Sequence, residues 1–384
     1  MSDPPALQEI RSWFPITQEK AYLFNGNIAP CAVQVRAAID ALTEVWSRGG
    51  DEVWAAGWAE YEEAKRLFAA LVQASPETLC SIPNTSTGIN LAARMVDPKP
   101  GSNVVVHELS HQGSVFPWLQ MRPRGVEVRF ARATGGAIPL EELERLVDER
   151  TAAVSICHVS MGSGFRFDLG AVGELARRHG AAVVVDAAQS AGAVPIDLRE
   201  TPLDFLAAPT FKWLLGPLGA GFLHVREDWI ERSAPPLPGW LGAEDPEALD
   251  LSEMRPRPGA LRFESGVLDL LAWAGARAGL ALLHELGEEL VHGRIRALAD
   301  RVYAGLVAAG VELWTPADPA QRAGIVAFDA RHRVELHARL ESRGIHVGNW
   351  QEHIRVDPSF YNTEEEVDRL LDEVGAFLTD ELPG

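Results

Sequence analysis

From about residue 80 to 225 the chain alternates short apolar, β-branched runs with stretches of helical period, and no other feature restricts its fold as much. The runs are NVVVH (103–107), VEVRF (126–130), AAVSIC (152–157), AAVVVD (181–186) and DFLAA (204–208). Short runs that are apolar throughout suit strands buried on both faces, as in a parallel sheet covered by helices. Helical periodicity stands at 31–48, 58–74, 139–149 and 168–179. The alternation predicts an α/β fold with a mainly parallel sheet sandwiched by helices. Such sheets bind ligands beyond the carboxyl ends of their strands, so residues just after these runs are the candidates for chemistry.

With 384 residues the chain exceeds one ordinary core, and two domains are expected. The stretch 233–260 is rich in Pro, Gly and acid and reads as a long loop, a kind of segment that often serves function. Beyond it the pattern predicts helices over 269–309, strands near 311–314 and 323–328, a helix at 332–343, a strand at 345–348 and a last helix at 363–379. The expected division is residues 1–20 as a segment joining the small domain, 21–260 as the large domain and 261–384 as a small C-terminal α+β domain. A net charge of -19 argues against nucleic acid and anionic membranes as partners. The opening MSDPPALQEIRSWF lacks a basic segment followed by an apolar one, so no signal peptide is read, and no apolar run nears the roughly 20 residues that span a bilayer. Cys31, Cys80 and Cys157 lack metal-ligand spacing, so no disulfide framework and no metal site is expected, and the three read as small core residues. A soluble, cytoplasmic protein follows.

Within PTFKWLLGPLGAGFLHV (209–225) a single lysine, Lys212, stands among Phe211, Trp213, Leu214 and Leu215. An amine in such company is desolvated, which lowers its pKa and frees a nucleophile of the kind an imine-forming lysine needs. Asp186 ends the run VVVD; alone it reads as a helix cap, and alternatively as a carboxylate facing a cationic ligand atom. In PNTSTGINLAARMV (83–96), Ser86, Thr87 and Gly88 open a helix whose start suits a phosphate, with an ordinary N-cap as the plainer reading. His107 and His111 follow a strand; His107 reads as structural and His111 as a ring placed over a planar ligand.

Taken together, YLFNGNIAP, NTSTGIN, VVVHELSHQGSVFPWL, VVVDAAQSAG, TFKWLLGPLGAGFL, RAGIVAFD and IRVDPSFYNTEEEVDRL resemble, in order, the motifs of the class V aminotransferase family of fold type I pyridoxal-phosphate enzymes. The resemblance runs from about residue 20 to 380. It implies pyridoxal 5'-phosphate as cofactor, with Lys212 in imine linkage, Asp186 on the ring nitrogen, Gln189 on the phenolic oxygen and His111 over the ring. Ser86, Thr87 and Thr210 are implied as phosphate contacts, Arg355 as the clamp on a substrate carboxylate, and Asn25 and Asn27 as further substrate contacts. A homodimer with shared sites is also implied.

Departures from the family narrow the chemistry. Cysteine desulfurases carry a nucleophilic cysteine on a loop before the final arginine, whereas GIHVGNWQEHIRV (344–356) has none, so persulfide formation is not expected. Met161 replaces the usual asparagine, PTFK stands where desulfurases have SGHK, and Val267 lacks the hydroxyl of the GT-N segment that reaches a neighbouring subunit's phosphate. The TFKWLLGP form and the cysteine-free IRVDPSFYNTEEE ending look more like the isopenicillin-N-epimerase-like and cystine-lyase-like branch. The expected reaction is C–S β-elimination on a cysteine-like amino acid, with transamination next and epimerisation third. Epimerisation needs a second acid, for which His111 and His346 are the nominees. A cofactor-binding scaffold or sensor is the alternative outside catalysis. Trp240 and Trp350 lie in expected loops and are further candidates for a substrate pocket.

Overall fold

In the computed structural model, which describes residues 5–201, 203–247, 251–350 and 352–380, the alternating segments assemble into one seven-stranded sheet. Its strands are β1 (Leu79–Ile82), β2 (Asn103–His107), β3 (Glu127–Ala131), β4 (Thr151–Cys157), β5 (Ala182–Asp186), β6 (Phe205–Pro209) and β7 (Gly221–Val225). They lie in the order β1-β7-β6-β5-β4-β2-β3. The five strands from β3 to β6 are mutually parallel, and β7 runs antiparallel between β6 and β1. Every residue of β2, β5, β6 and β7 is buried, as unbroken apolar runs require. Alternate side chains feed two cores: Val105, Val154, Val185 and Leu206 on one face, Val104, Ala153, Val184 and Phe205 on the other. In register, Cys157 sits opposite Asp186 and Asp186 opposite Ala207, so the ends of β4, β5 and β6 form one rim.

Helices α1 (Val33–Gly49), α2 (Glu52–Leu71), α3 (Thr85–Val96), α4 (Gln112–Leu119) and α5 (Leu270–Leu286) frame this sheet. A division at 260 would assign α5 to the smaller unit. Instead it packs on α1 and α2, and its Ala272, Trp273 and Ala276 join the core around Phe68 and Phe222. The close approach needs Gly57 of α2, where a Cβ would lie 2.7 Å from Leu270. Within 233–259 the described residues hold no regular element beyond the single turn Trp240–Gly242.

The smaller unit has its own core of Leu298, Phe328, Ile354 and Val367. There β8 (Val326–Asp329), β9 (Gly348–Trp350) and β10 (His353–Val356) pair antiparallel in the order β9-β10-β8, beside α6 (Glu288–Ala308) and α7 (Glu364–Asp380). The strand expected at 311–314 reduces to one bridge, Leu313 to Phe328. The N-terminal segment reaches both cores: Ile10, Trp13 and Phe14 join the larger one, while Arg11 donates to the Tyr361 carbonyl at 2.9 Å and pairs with Glu366, and Ala21–Tyr22 runs parallel to Ile345–His346.

Candidate active site

Asp186 closes β5, is 5% exposed, and is gripped on both oxygens. The Ser114 hydroxyl donates to Oδ2, the Ala188 amide donates to Oδ1 at 2.9 Å, and the Cys157 thiol lies 3.7 Å from Oδ2. Lys212 follows β6 in a turn pinned from inside: Gly216 N–H donates to the Thr210 carbonyl at 2.8 Å, and the Thr210 hydroxyl faces the carbonyls of Pro217 and Ala220 at 2.7 and 2.9 Å. Leu215 in this turn holds φ +60°, a left-handed value that a bulky side chain adopts only when its surroundings force it. Burial, then the charge of Arg355, holds the Lys212 amine down to about 8, against 10.5 for a free lysine. A sizeable fraction is therefore the neutral nucleophile near pH 8.

A cavity of about 130 Å³ opens beside the amine. Its wall includes Ser86, His111, Asp186, Gln189 and Lys212, so five of the expected residues converge on one space. Asn84 caps α3: its Oδ1 accepts from the Thr87 amide at 2.9 Å and faces the Thr87 hydroxyl at 3.1 Å. Thr85, one residue before Ser86, lines the cavity, and its buried hydroxyl has no partner among the described residues. An orphaned hydroxyl at a helix start, beside first-turn amides that lack intrahelical acceptors, fits a phosphate. With the carboxylate of Asp186 across the same space from an amine, the donor set fits pyridoxal phosphate.

His111 is exposed and held in place: its Nδ1 accepts from Gly113 N–H at 3.0 Å, and its amide donates to the Cys157 sulfur at 3.4 Å. Gln189 donates from Nε2 to the Gly26 carbonyl at 2.8 Å and accepts from Trp213 Nε1 at 2.9 Å, which leaves one N–H for a ligand. Arg355 is not part of the cavity wall, but its charge acts on Lys212; it is 4% exposed, with Asp357 bonded to it at 2.8 and 2.5 Å. Asn25 is buried, accepting from the Tyr361 hydroxyl at 2.9 Å, and its Nδ2 has no partner among the described residues.

The other expectations are placed elsewhere. Thr87 spends its hydroxyl on the cap and lines a neighbouring cavity instead. Thr210 is fully buried, is not part of the cavity wall, and turns its hydroxyl toward carbonyls within the Lys212 turn. Asn27 is exposed and is not part of the cavity wall. His346, the other nominee for a second acid, is bonded to Glu341 at 2.8 Å and stacked on Tyr22, and it is not part of the cavity wall. Trp240 lines a separate cavity with Trp54, and Trp350 sits 39% exposed on the β9–β10 hairpin. Cys80 is a core residue, but Cys31 is exposed, and Cys157 lines the cavity. Sequence reasoning missed Thr85, Ser114, Cys157 and Asp357 as members of the site. Ser114 lies one helical turn past His111, and Asp357 shares the strand face of Arg355, so both spacings were there to be read.

Comparison with known proteins gives the family. Residues 22–370 match the family profile described as Aminotransferase class-V. The probable cysteine desulfurase of Methanothermobacter thermautotrophicus (strain Delta H) is 30% identical over 335 residues, covering 84% of this chain and 81% of that relative. The uncharacterized aminotransferase YcbU of Bacillus subtilis (strain 168) is 27% identical over 370 residues, covering 96% and 97%. Among solved structures, the apo cysteine desulfurase of Thermococcus onnurineus NA1 superposes with a TM-score of 0.90 at 25% identity, covering 99% of this chain and 100% of that one. The cystine C-S lyase C-DES in complex with cysteine persulfide gives 0.87 at 23% identity, covering 94% and 99%. These neighbours share the fold type I architecture with this chain. From profile, fold and a desolvated lysine facing a buried aspartate, the chain belongs to the aminotransferase class-V family.

Proposed function

We propose that the chain is a pyridoxal-phosphate-dependent C–S lyase that eliminates the sulfur of a cysteine-like amino acid. The observation that carries it is the neutralisable Lys212 amine and the Asp186 carboxylate facing one cavity, with the orphaned Thr85 hydroxyl at the helix start. Lys212 would anchor the cofactor and Asp186 would lie on its ring nitrogen. Gln189 would donate its remaining N–H, His111 would cover the ring, and Thr85, Ser86 and the first amides of α3 would hold the phosphate. When bound, the cofactor supplies an electron sink for the bond broken at the α-carbon.

The chain's own groups supply the rest. Arg355 attracts the substrate carboxylate and orients the α-carbon. Lys212, once free, takes the α-proton, which its lowered basicity allows near neutral pH. Phe211, Val159 and Met161 line the cavity with apolar surface. Where desulfurases carry a cysteine loop, this chain has the tight β9–β10 hairpin with Asn349 and Trp350, which supports elimination over persulfide transfer. We further place the protein in the cytoplasm as a homodimer. Free thiols at Cys31, Cys80 and Cys157 suit a reducing compartment, and among the described residues no helix is long and apolar enough to cross a membrane.

The test is a panel of amino acids incubated with purified protein. Cysteine, cystine or a related thioether is expected to give pyruvate and a sulfur product in equal amounts. A keto acid with the substrate's own skeleton, formed with loss of the cofactor's visible band, would replace elimination with transamination.

A further inference from the structure

We propose that Asp357 is a positioning residue that sets how strongly the site holds its substrate's carboxylate, by sharing the guanidinium of Arg355. The inference rests on the reading that the site takes an α-amino acid. Arg355 and Asp357 are two residues apart on one extended segment, so their side chains share a face. The guanidinium donates from Nε to Oδ1 at 2.8 Å and from Nη2 to Oδ2 at 2.5 Å, a bidentate fork. Asp357 is fully buried and Arg355 is 4% exposed. The Phe24 ring centre lies 5.2 Å from the guanidinium carbon. Gly26 completes the enclosure, since a Cβ there would strike Arg355 Nη2, Asp357 Oδ2 and Gln189 Oε1 together.

A guanidinium has two edges that match a carboxylate, and Asp357 occupies one of them. An incoming carboxylate is left the Nη1 edge and feels the negative charge of Asp357 behind the cation. The pair therefore waits without an uncompensated buried charge when no substrate is present, and it grips a second anion less than a free arginine would. At a separation of a few ångströms inside a protein, one unit of opposing charge changes anion affinity by about tenfold or more.

The experiment titrates propionate, a carboxylate without an amine, into purified holoenzyme by calorimetry, in the wild type and in Asp357→Asn and Asp357→Ser. The expected result is propionate binding about tenfold tighter in the variants, with KM for the amino-acid substrate falling in step and kcat changing less. Adding Arg355→Met is expected to abolish the gain. Folded variants that bind propionate no better than the wild type overturn the inference. If the variants do not fold alone, propionate is expected to restore them by replacing the lost partner, and failure of that rescue also overturns it. A wild type that makes no product from any amino acid, yet shows this propionate response, sinks the lyase reading and leaves the role of Asp357 standing.

Discussion

At the scale of single residues, function concentrates in one amine. Lys212 is held down to about 8 because its surroundings desolvate it and Arg355 repels its charge. Its neutral fraction rises with pH through that value, so the rate at which apoprotein takes up pyridoxal phosphate into a borohydride-reducible attachment is expected to climb with a midpoint near pH 8. Lys212→Met is expected to show no attachment, as read by mass spectrometry. Stability carries the same signature. The folded pKa lies below the unfolded 10.5, so between about pH 8 and 10.5 the unfolded chain binds more protons and the wild type gains stability as pH rises. Below that window the buried ammonium is carried in full, and Lys212→Met is expected to be the more stable apoprotein by at most about 3 kcal/mol. Urea unfolding of both proteins across that range checks the sign: a gap that widens with pH contradicts it. The lysine was legible because burying an amine among Phe211, Trp213, Leu214 and Leu215 costs free energy that a surface position would avoid, and a chain seldom carries that cost without using the amine. Hydroxyls were less so. Thr85, Ser86, Thr87 and Thr210 are alike in type, and only geometry separates the orphan in the cavity from the cap partner and the turn brace.

Elements hold this amine in place, and α5 holds more than its sequence implied. Periodicity predicts a helix there but says nothing of which unit it joins, because an apolar stripe is satisfied by any matching face. Its Gly279 lies against the turn after Lys212: a Cβ would stand 2.7 Å from the Leu214 carbonyl oxygen and 2.9 Å from that of Leu215. Those are backbone atoms of the segment already strained at Leu215, so the contact cannot be relieved by a side-chain rotation. Gly279→Ala is expected to destabilise by roughly 1–3 kcal/mol and to lower kcat by displacing the turn. Gly293 on α6 has nothing within 4 Å of its added Cβ, so Gly293→Ala is expected to stabilise slightly, by up to about 1 kcal/mol, with activity intact. Thermal unfolding with kinetics on both variants checks the contrast; equal effects would show that the α5 contact is yielding. The sheet shows the same limit on what sequence reveals. Strands buried on both faces announced themselves as apolar runs, whereas the edge strand β1 has only four residues and the expected strand at 311–314 makes one bridge.

The whole molecule leaves one face unexplained by a single copy. Trp54, Trp240, Leu237 and Val267 are each more than 40% exposed. Trp54, Trp240 and Val267 line one cavity, and Leu237, Val267 and Thr87 line the next, which brings the apolar face within one residue of Ser86 in the active-site wall. Apolar surface gathered beside a site is a mark of an interface, and a second copy here would stand close to the phosphate end of the cavity. Each copy carries a net charge of -19, so association works against repulsion that salt screens. Sedimentation equilibrium at micromolar concentration is expected to give twice the 41.8 kDa chain mass, with tighter association as ionic strength rises. Trp240→Glu combined with Val267→Glu is expected to give the single-chain mass and to weaken cofactor retention, because the face that would open lies beside the Ser86 end of the cavity. A wild type that sediments as one chain at every salt concentration, while keeping its cofactor and turnover, would leave that face to some other partner and make the site complete within one chain.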